Sequence, residues 1–489
     1  MIFNSVTFLL FLSVSVALYW VLPLRPRLWM LGIASLMFYG FWRVDFVALM
    51  LLSSGVDYVA ALGISRTEDE RRRKAWLLTS LAINFGLLFA FKYAGFTLDN
   101  AANLLGLFGI EWHPKLDIVL PLGISFYTFQ SVSYTIDVYR KDREAERDYL
   151  MFVCFVTYFP QLVAGPILRA SELLDQLGTR SKWRADEMVL GLRRILFGLF
   201  LKVGLADNIA AQVDDGFLQD VAFMHALDVW TLAFLFGFQI YFDFAGYSQI
   251  AIGSAHLMGI RFPENFDFPY LATSPREFWQ RWHISLSSWI RDYLYVPLSR
   301  HFGVSAGTPL GHSSEGGLVG TSLSPGATRD ARPLMLTWII MGFWHGAAWT
   351  FVLWGAYHGV LVLAHRAIRA RKLVPDTALG NVLGWCVTLP LIMLGWIPFR
   401  AGSLETTLVM WSRVLNPREY LALGLRENSY LSAATVLLLV TVAGLVSGRV
   451  ARWTERPLSL PVLTAGYAFV IGVVIVMLRP ISQFIYFQF

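Results

Sequence analysis

Cysteine is nearly missing from this chain: two occur in 489 residues, Cys154 and Cys386, both inside apolar runs. A disulfide framework and a thiolate metal cluster are therefore excluded, and a metal would have to be held by histidines and carboxylates. Charge is scarce as well. Charged residues make up 15% of the chain, against about 25% in an ordinary soluble domain. The net charge of +6 is an excess of Lys and Arg of the kind that collects in cytoplasmic loops of membrane proteins, so no nucleic-acid partner is indicated. Three catalytic templates are absent: the phosphate-cradling GxxxxGK[ST], the zinc-protease HExxH and the nucleophile elbow GxSxG. ATPase and hydrolase readings thus have no support.

What the chain has instead is apolar length. It is 56% hydrophobic, with 37 Phe and 18 Trp. That is more apolar surface than a soluble core can hide, and the rings suit interfacial belts. Runs approaching the ~20 residues that cross a hydrocarbon core recur throughout. They fall near 3–22, 28–41, 44–64, 75–95, 116–137, 149–168, 188–210, 228–260, 333–363, 381–400, 430–448 and 460–480. The run 28–41 is short for a full crossing, and 228–260 and 333–363 each have room for two elements. The expectation is an all-α polytopic membrane protein of about eleven transmembrane helices, forming a single integral membrane domain over 1–489. Residues 1–22 have no basic start and no small-residue cleavage site, so they read as a retained first span.

Basic breaks fall after every second early span: Arg25 and Arg27, then Arg66 with Arg71 to Lys74, then Arg140, Lys141, Arg143 and Arg147. The positive-inside rule puts these in the cytoplasm and the amino terminus outside. The stretch 274–300 mixes charge and Trp at helical spacing, predicting an amphipathic helix that lies in the interface or lines a cavity, with Pro275 in its first turn. The stretch 303–332 is rich in Gly, Ser, Thr and Pro and reads as a flexible loop.

Ionisable residues at membrane depth are costly, so each is a functional candidate unless it pairs or snorkels. His345, in the run Gly342 to Trp349, is the best candidate base, because a neutral imidazole can take a proton from a hydroxyl as it attacks a thioester. The alternative is a core histidine bonded to a neighbouring helix. Trp349 lies one helical turn on and would wall the same face, whereas His358, thirteen residues along a continuous helix, would point elsewhere. A second cluster holds Arg276, Arg281, Trp282, His283, Arg291 and Asp292. Its guanidinium groups suit phosphates, as on a coenzyme A tail, and His283 could orient a substrate or polarise a carbonyl. A helix that binds lipid headgroups fits the same composition. Asp243 is a lone carboxylate in a span, placed to pair with an Arg of that cluster, to orient a histidine, or to form a structural ion pair. Two prolines in 159–166 interrupt another span, which is tolerated where a helix lines a cavity.

Four segments in order, FPQLVAGPILR (159–169), YFDFAGYSQIAIG (241–253), REFWQRWHISLSSWIRDYLYVPL (276–298) and GFWHGAAWTFVLWGAYHG (342–359), resemble the membrane-bound O-acyltransferase superfamily. The likeness is to its bacterial alginate O-acetylation branch more than to its D-alanyl branch, and the core motifs lie within 159–359. The resemblance implies helices ringed around a central funnel, with His345 as the catalytic histidine and His283 as a second, upstream polar residue. Trp344 and Trp349 would line the donor path beside them. It further implies acetyl-CoA as the acyl donor, no bound cofactor or metal, and periplasmic acetyltransferase partner proteins at the bacterial inner membrane that complete O-acetylation of an exopolysaccharide. Two departures from the pattern stand out: Gln249 where an acid is expected, and Ser299-Arg300-His301 where Gly-Gly-Asn is common.

Overall fold

A computed structural model of the chain describes residues 1–163, 165–179, 182–303, 330–371, 377–453, 460–477 and 484–485, with backbone alone at 443–453 and 460–463. Most of the 303–332 stretch, 304–329, lies outside the described residues. Every regular element among those described is helical, as the apolar periodicity predicts. Among the described residues, five helices have the length and apolarity of a crossing: Asp45–Ser65, Glu70–Gly106, Ala226–His256, Trp349–Ala370 and Ala378–Arg400. Shorter apolar helices run over Val6–Val21, Glu427–Val442 and Thr464–Val476.

Helix ends follow local chemistry. Ser5 opens Val6–Val21 by accepting from the Phe8 N–H at 3.1 Å, Asp69 opens Glu70–Leu88 by accepting from Arg71 at 2.9 Å, and Thr377 does the same for Gly380. Each satisfies an amide that the helix leaves unpaired. Three expectations change. The run 228–260 is one uninterrupted helix, Ala226–His256, where two elements had room; 333–363 does hold two, Arg332–His345 and Trp349–Ala370, as expected. In 149–168 only Tyr149–Thr157 is helical; the prolines of the following stretch supply no amide to extend it, and that stretch is irregular yet buried. The single amphipathic helix expected over 274–300 breaks once, at Trp282–His283, into Pro275–Arg281 and a continuous helix over 284–301 whose middle, Arg291–Tyr295, widens to a π turn.

The chain divides into two compact units. One comprises Met1–Ile195 with Tyr247–Pro263. Within it Asp57, fully buried, ties three helices together: its Oδ1 accepts from Ser80 Oγ at 2.5 Å and Asn84 Nδ2 at 2.8 Å, and Thr135 Oγ1 approaches at 3.5 Å. Interhelical hydrogen bonds of this kind average about 0.6 kcal/mol each in membrane proteins, so the cluster serves as glue through number. Gln249 accepts from Arg194 Nη1 at 2.9 Å in the same unit.

The other unit comprises Leu196–Gly246 and Glu264–Ile485. Its centre is the pair Arg332–His345 and Trp349–Ala370, which approach backbone to backbone. A Cβ on Gly342 would stand 2.2 Å from the Phe351 carbonyl oxygen, and one on Gly355 equally close to that of Trp338. Small residues are what allow two helices this approach.

Candidate active site

His345 is the last residue of Arg332–His345. Gly346 turns extended there, and a new helix begins at Trp349. The chain folds back at 346–348, so the next helix returns alongside His345. The imidazole is 7% exposed and ringed by Trp344 at 4.9 Å, Trp354 at 5.0 Å and Phe399 at 5.2 Å between centroids. These edge-on contacts present hydrogen-bearing ring edges and π faces in place of water.

The fold-back overturns two expectations that rested on a continuous helix. Trp349 is not one turn along from His345 on a shared face; it starts the next helix and is 53% exposed. His358 does not turn away. It is fully buried against the same Trp354, at 4.9 Å, and against Trp279 and Trp338. Its two ring nitrogens find no hydrogen-bond partner among the described residues.

His283 sits at the break between Pro275–Arg281 and Ile284–Ile290 with φ 44° and ψ 56°. A left-handed backbone at a residue with a Cβ stores about 1–3 kcal/mol and persists only where the surroundings hold it. Here Asn265 holds it. The Asn265 carbonyl accepts from the Ile284 N–H at 2.9 Å, and its side-chain Oδ1 meets the Ser285 N–H at 3.3 Å, Ser285 Oγ at 2.9 Å and His283 Nδ1 at 3.1 Å. A backbone N–H only donates, so the atom facing it is the amide oxygen. His283 Nδ1 therefore carries the proton, and Nε2 is an acceptor. The ring packs edge-on to Phe244 at 4.6 Å.

The arginines of that segment are spoken for. Arg281 pairs with Glu277 at 2.7 Å and Asp267 at 4.0 Å, and Arg291 binds its neighbour Asp292 through Nε at 2.6 Å and Nη2 at 3.1 Å. Both are structural ion pairs rather than open phosphate sites. Arg276 is half-buried, and burial, then the nearby Arg369 and Arg366, lowers its guanidinium below the ordinary value. Trp282 is core, stacked on Phe278, edge-on to Phe266 and tilted against Trp396, the last at 4.8 Å. Trp396 also faces Trp354, at 6.2 Å. An unbroken run of rings thus joins the Trp282–His283 break to His345.

Asp243 does not orient the arginines. Its partner is Lys202, 2.6 Å away, which also binds Asp207 at 2.8 Å; Asp243 Oδ2 accepts from the Ile485 N–H at 2.7 Å. Lys202, Asn265 and Ser285 were missed in the sequence. No group of three or more metal-ligating side chains occurs among the described residues. The site offers imidazole nitrogens in a dry aromatic enclosure, which is equipment for moving a proton.

Comparison with known proteins identifies the family. The model of the membrane-bound O-acyltransferase family matches residues 144–308. The chain is 37% identical over 466 residues to a probable alginate O-acetylase AlgI of Azotobacter vinelandii, covering 94% of this chain and 87% of that protein. It is 39% identical over 419 residues to the probable alginate O-acetylase AlgI of Pseudomonas aeruginosa, covering 85% and 75%. The peptidoglycan O-acetyltransferase of Helicobacter pylori is 34% identical over 444 residues, covering 83% and 78%. The protein with this aromatic-walled histidine at a helix break belongs to the membrane-bound O-acyltransferase family and is a multi-pass membrane O-acetyltransferase.

Proposed function

We propose that the protein moves acetyl from cytoplasmic acetyl-CoA across the bacterial inner membrane for O-acetylation of an exopolysaccharide such as alginate or cellulose, with His345 as general base. The observation that carries this is the enclosure of His345 by Trp344, Trp354 and Phe399 at the end of a helix. In that enclosure an imidazole takes the proton of a hydroxyl as its oxygen attacks the thioester carbonyl. The new C–O bond forms, the C–S bond breaks, and the proton passes to the departing thiolate. General base catalysis of this kind contributes about 10²–10⁴ in rate.

His283 takes a positioning role. With Nδ1 bound to Asn265, its Nε2 accepts a hydrogen bond and does not donate one to a carbonyl, so it orients a hydroxyl or thiol rather than polarising the acyl group. Arg276, with Arg366 and Arg369 near it, is the arginine placed to draw the donor's phosphates. The basic breaks support a periplasmic amino terminus, and the names of the relatives, alginate O-acetylase and peptidoglycan O-acetyltransferase, support a polysaccharide acceptor; periplasmic acetyltransferase partners complete the transfer in this proposal.

The test is the O-acetyl content of the polysaccharide secreted by cells carrying His345→Ala, at a matched membrane level of the protein. Loss of acetyl with continued secretion supports the reading. Persistent acetylation removes His345 from the chemistry, and loss of the polymer itself points to a glycan transporter instead.

A further inference from the structure

A cavity in the unit comprising Met1–Ile195 and Tyr247–Pro263 has no part in the acyl-transfer chemistry. Its volume is about 280 Å³, and its lining includes Trp20, Lys182, Arg184, Glu187, His256 and Arg261. Three permanent cations thus face one carboxylate across a space just below the ~300–1,000 Å³ usual for ligand pockets.

The wall is constructed rather than incidental. After Ala226–His256 the chain turns through Gly259, at φ +68°, with the Gly259 N–H returning to the His256 carbonyl at 2.9 Å and the Ile260 N–H to that of Ala255 at 3.0 Å. Glycine meets that dihedral without strain. The next residue, Arg261, is clamped in both directions by one amide: its N–H donates to Gln176 Oε1 at 2.8 Å, and Gln176 Nε2 donates to its carbonyl at 2.9 Å. Trp20 Nε1 donates to the Leu257 carbonyl at 2.8 Å, fixing the indole over the same turn. Glu187 then bridges the Arg261 guanidinium and His256 Nδ1, the latter at 2.9 Å.

Glu187 is thereby committed. The hydrogen bond from Arg261, helped by that from His256, holds its carboxyl below the ordinary range, so it stays ionised and is neutralised from within the wall. Lys182 and Arg184 remain as the excess positive charge. Arg184 meets Asp186 at 2.5 Å, but both are exposed, and such a pair exchanges readily for a better anion. Three segments distant in sequence have been tied to one turn, so the wall of Trp20, Glu187, His256 and Arg261 is ordered in advance, and Lys182 and Arg184 are the side chains a ligand would still have to order.

We propose that this cavity binds a phosphate group, carried by a lipid headgroup or by a soluble phosphate compound. Arg261, whose Nη2 is held by Glu187, offers its remaining guanidinium N–H groups to phosphate oxygens, Lys182 and Arg184 supply charge, and the Trp20 indole covers the organic part next to the phosphate.

The test uses the full-length protein with two probes: inorganic pyrophosphate added to protein in detergent, and phosphatidylglycerol included in phosphatidylcholine nanodiscs. The readout is the thermal unfolding midpoint of wild type and of Lys182→Ala/Arg184→Ala, whose exposed positions leave the unliganded midpoint unchanged. The proposal predicts that at least one probe raises the wild-type midpoint and that the double variant binds it about ten-fold more weakly, roughly 1.4 kcal/mol. A rise with pyrophosphate alone assigns a soluble ligand, and one with phosphatidylglycerol alone a lipid. Arg261→Gln, which removes the guanidinium but keeps Lys182 and Arg184, weakens binding as well. The proposal is overturned if neither probe moves the wild type, or if variant and wild type respond alike.

Discussion

The segments 276–298 and 342–359 offer the same ingredients, a histidine set among tryptophans in an apolar stretch, and the fold treats them in opposite ways. In 276–298 polar groups meet polar partners: Arg281 with Glu277, Arg291 with Asp292, His283 with Asn265. In 342–359 the two imidazoles are walled by rings: His345 by Trp344, Trp354 and Phe399, His358 by Trp279, Trp338 and Trp354. A charge that finds its partner inside a membrane protein mostly holds helices in register, whereas an imidazole among apolar rings is kept neutral, the form that can accept a proton. On the function proposed above, the first segment is the frame and the second carries the reaction.

That contrast ranks the effects of substitution. His345→Gln is the largest, with acetyl transfer falling about 10²–10⁴-fold at unchanged protein level, as read from acetyl released by mild alkali from the polymer. Lys202→Met comes next and acts on the frame alone. It leaves Asp243 and Asp207 without their cation, at a cost of about 3–5 kcal/mol in unfolding of the purified protein. Lys202→Met/Asp243→Leu should recover part of that, and a double variant no better than the single would show that the unpaired Asp243 is not the source of the loss.

Asn265→Leu lies between frame and reaction. Removing Oδ1 leaves His283 and Ser285 without their shared acceptor, for about 1–3 kcal/mol of stability. If His283 positions a reactant, kcat falls as well, and Asn265→Asp, which keeps the acceptor, restores it; a stability loss with normal kcat confines His283 to structure. The smallest contrast separates two arginines. Arg276→Gln raises the KM for the donor about ten-fold at constant kcat, a loss of roughly 1.4 kcal/mol in donor binding. Arg281→Gln leaves both within two-fold, since a partly exposed pair is worth about 0–1 kcal/mol.

Much of this could be read in the residues. The helical class followed from apolar length, and the four motifs marked the family before any coordinate. His345 stood out as an imidazole far from the basic loops. The break beside it did not, because Gly346-Ala347-Ala348 keeps the apolar run going and carries no proline or cap. Extending the helix through it sent Trp349 to the wrong face and His358 away from the site. Asn265 left no trace in the pattern, being a loop amide eighteen residues before the histidine it serves. The Lys202–Asp243 pair could have been found: each is a lone charge of opposite sign in its own apolar run, and at membrane depth such charges seek each other.

The central claim is that His345 takes the proton in acyl transfer, and it is met most directly in purified protein. Nanodisc-embedded wild type, His345→Ala and His283→Ala are each given acetyl-CoA labelled in the acetyl group, together with polysaccharide and periplasmic extract, and transfer of label is followed with time. The account predicts transfer by wild type, a fall of about 10²–10⁴-fold for His345→Ala with donor binding intact, and a lesser fall for His283→Ala. Transfer by His345→Ala at the wild-type rate would contradict it.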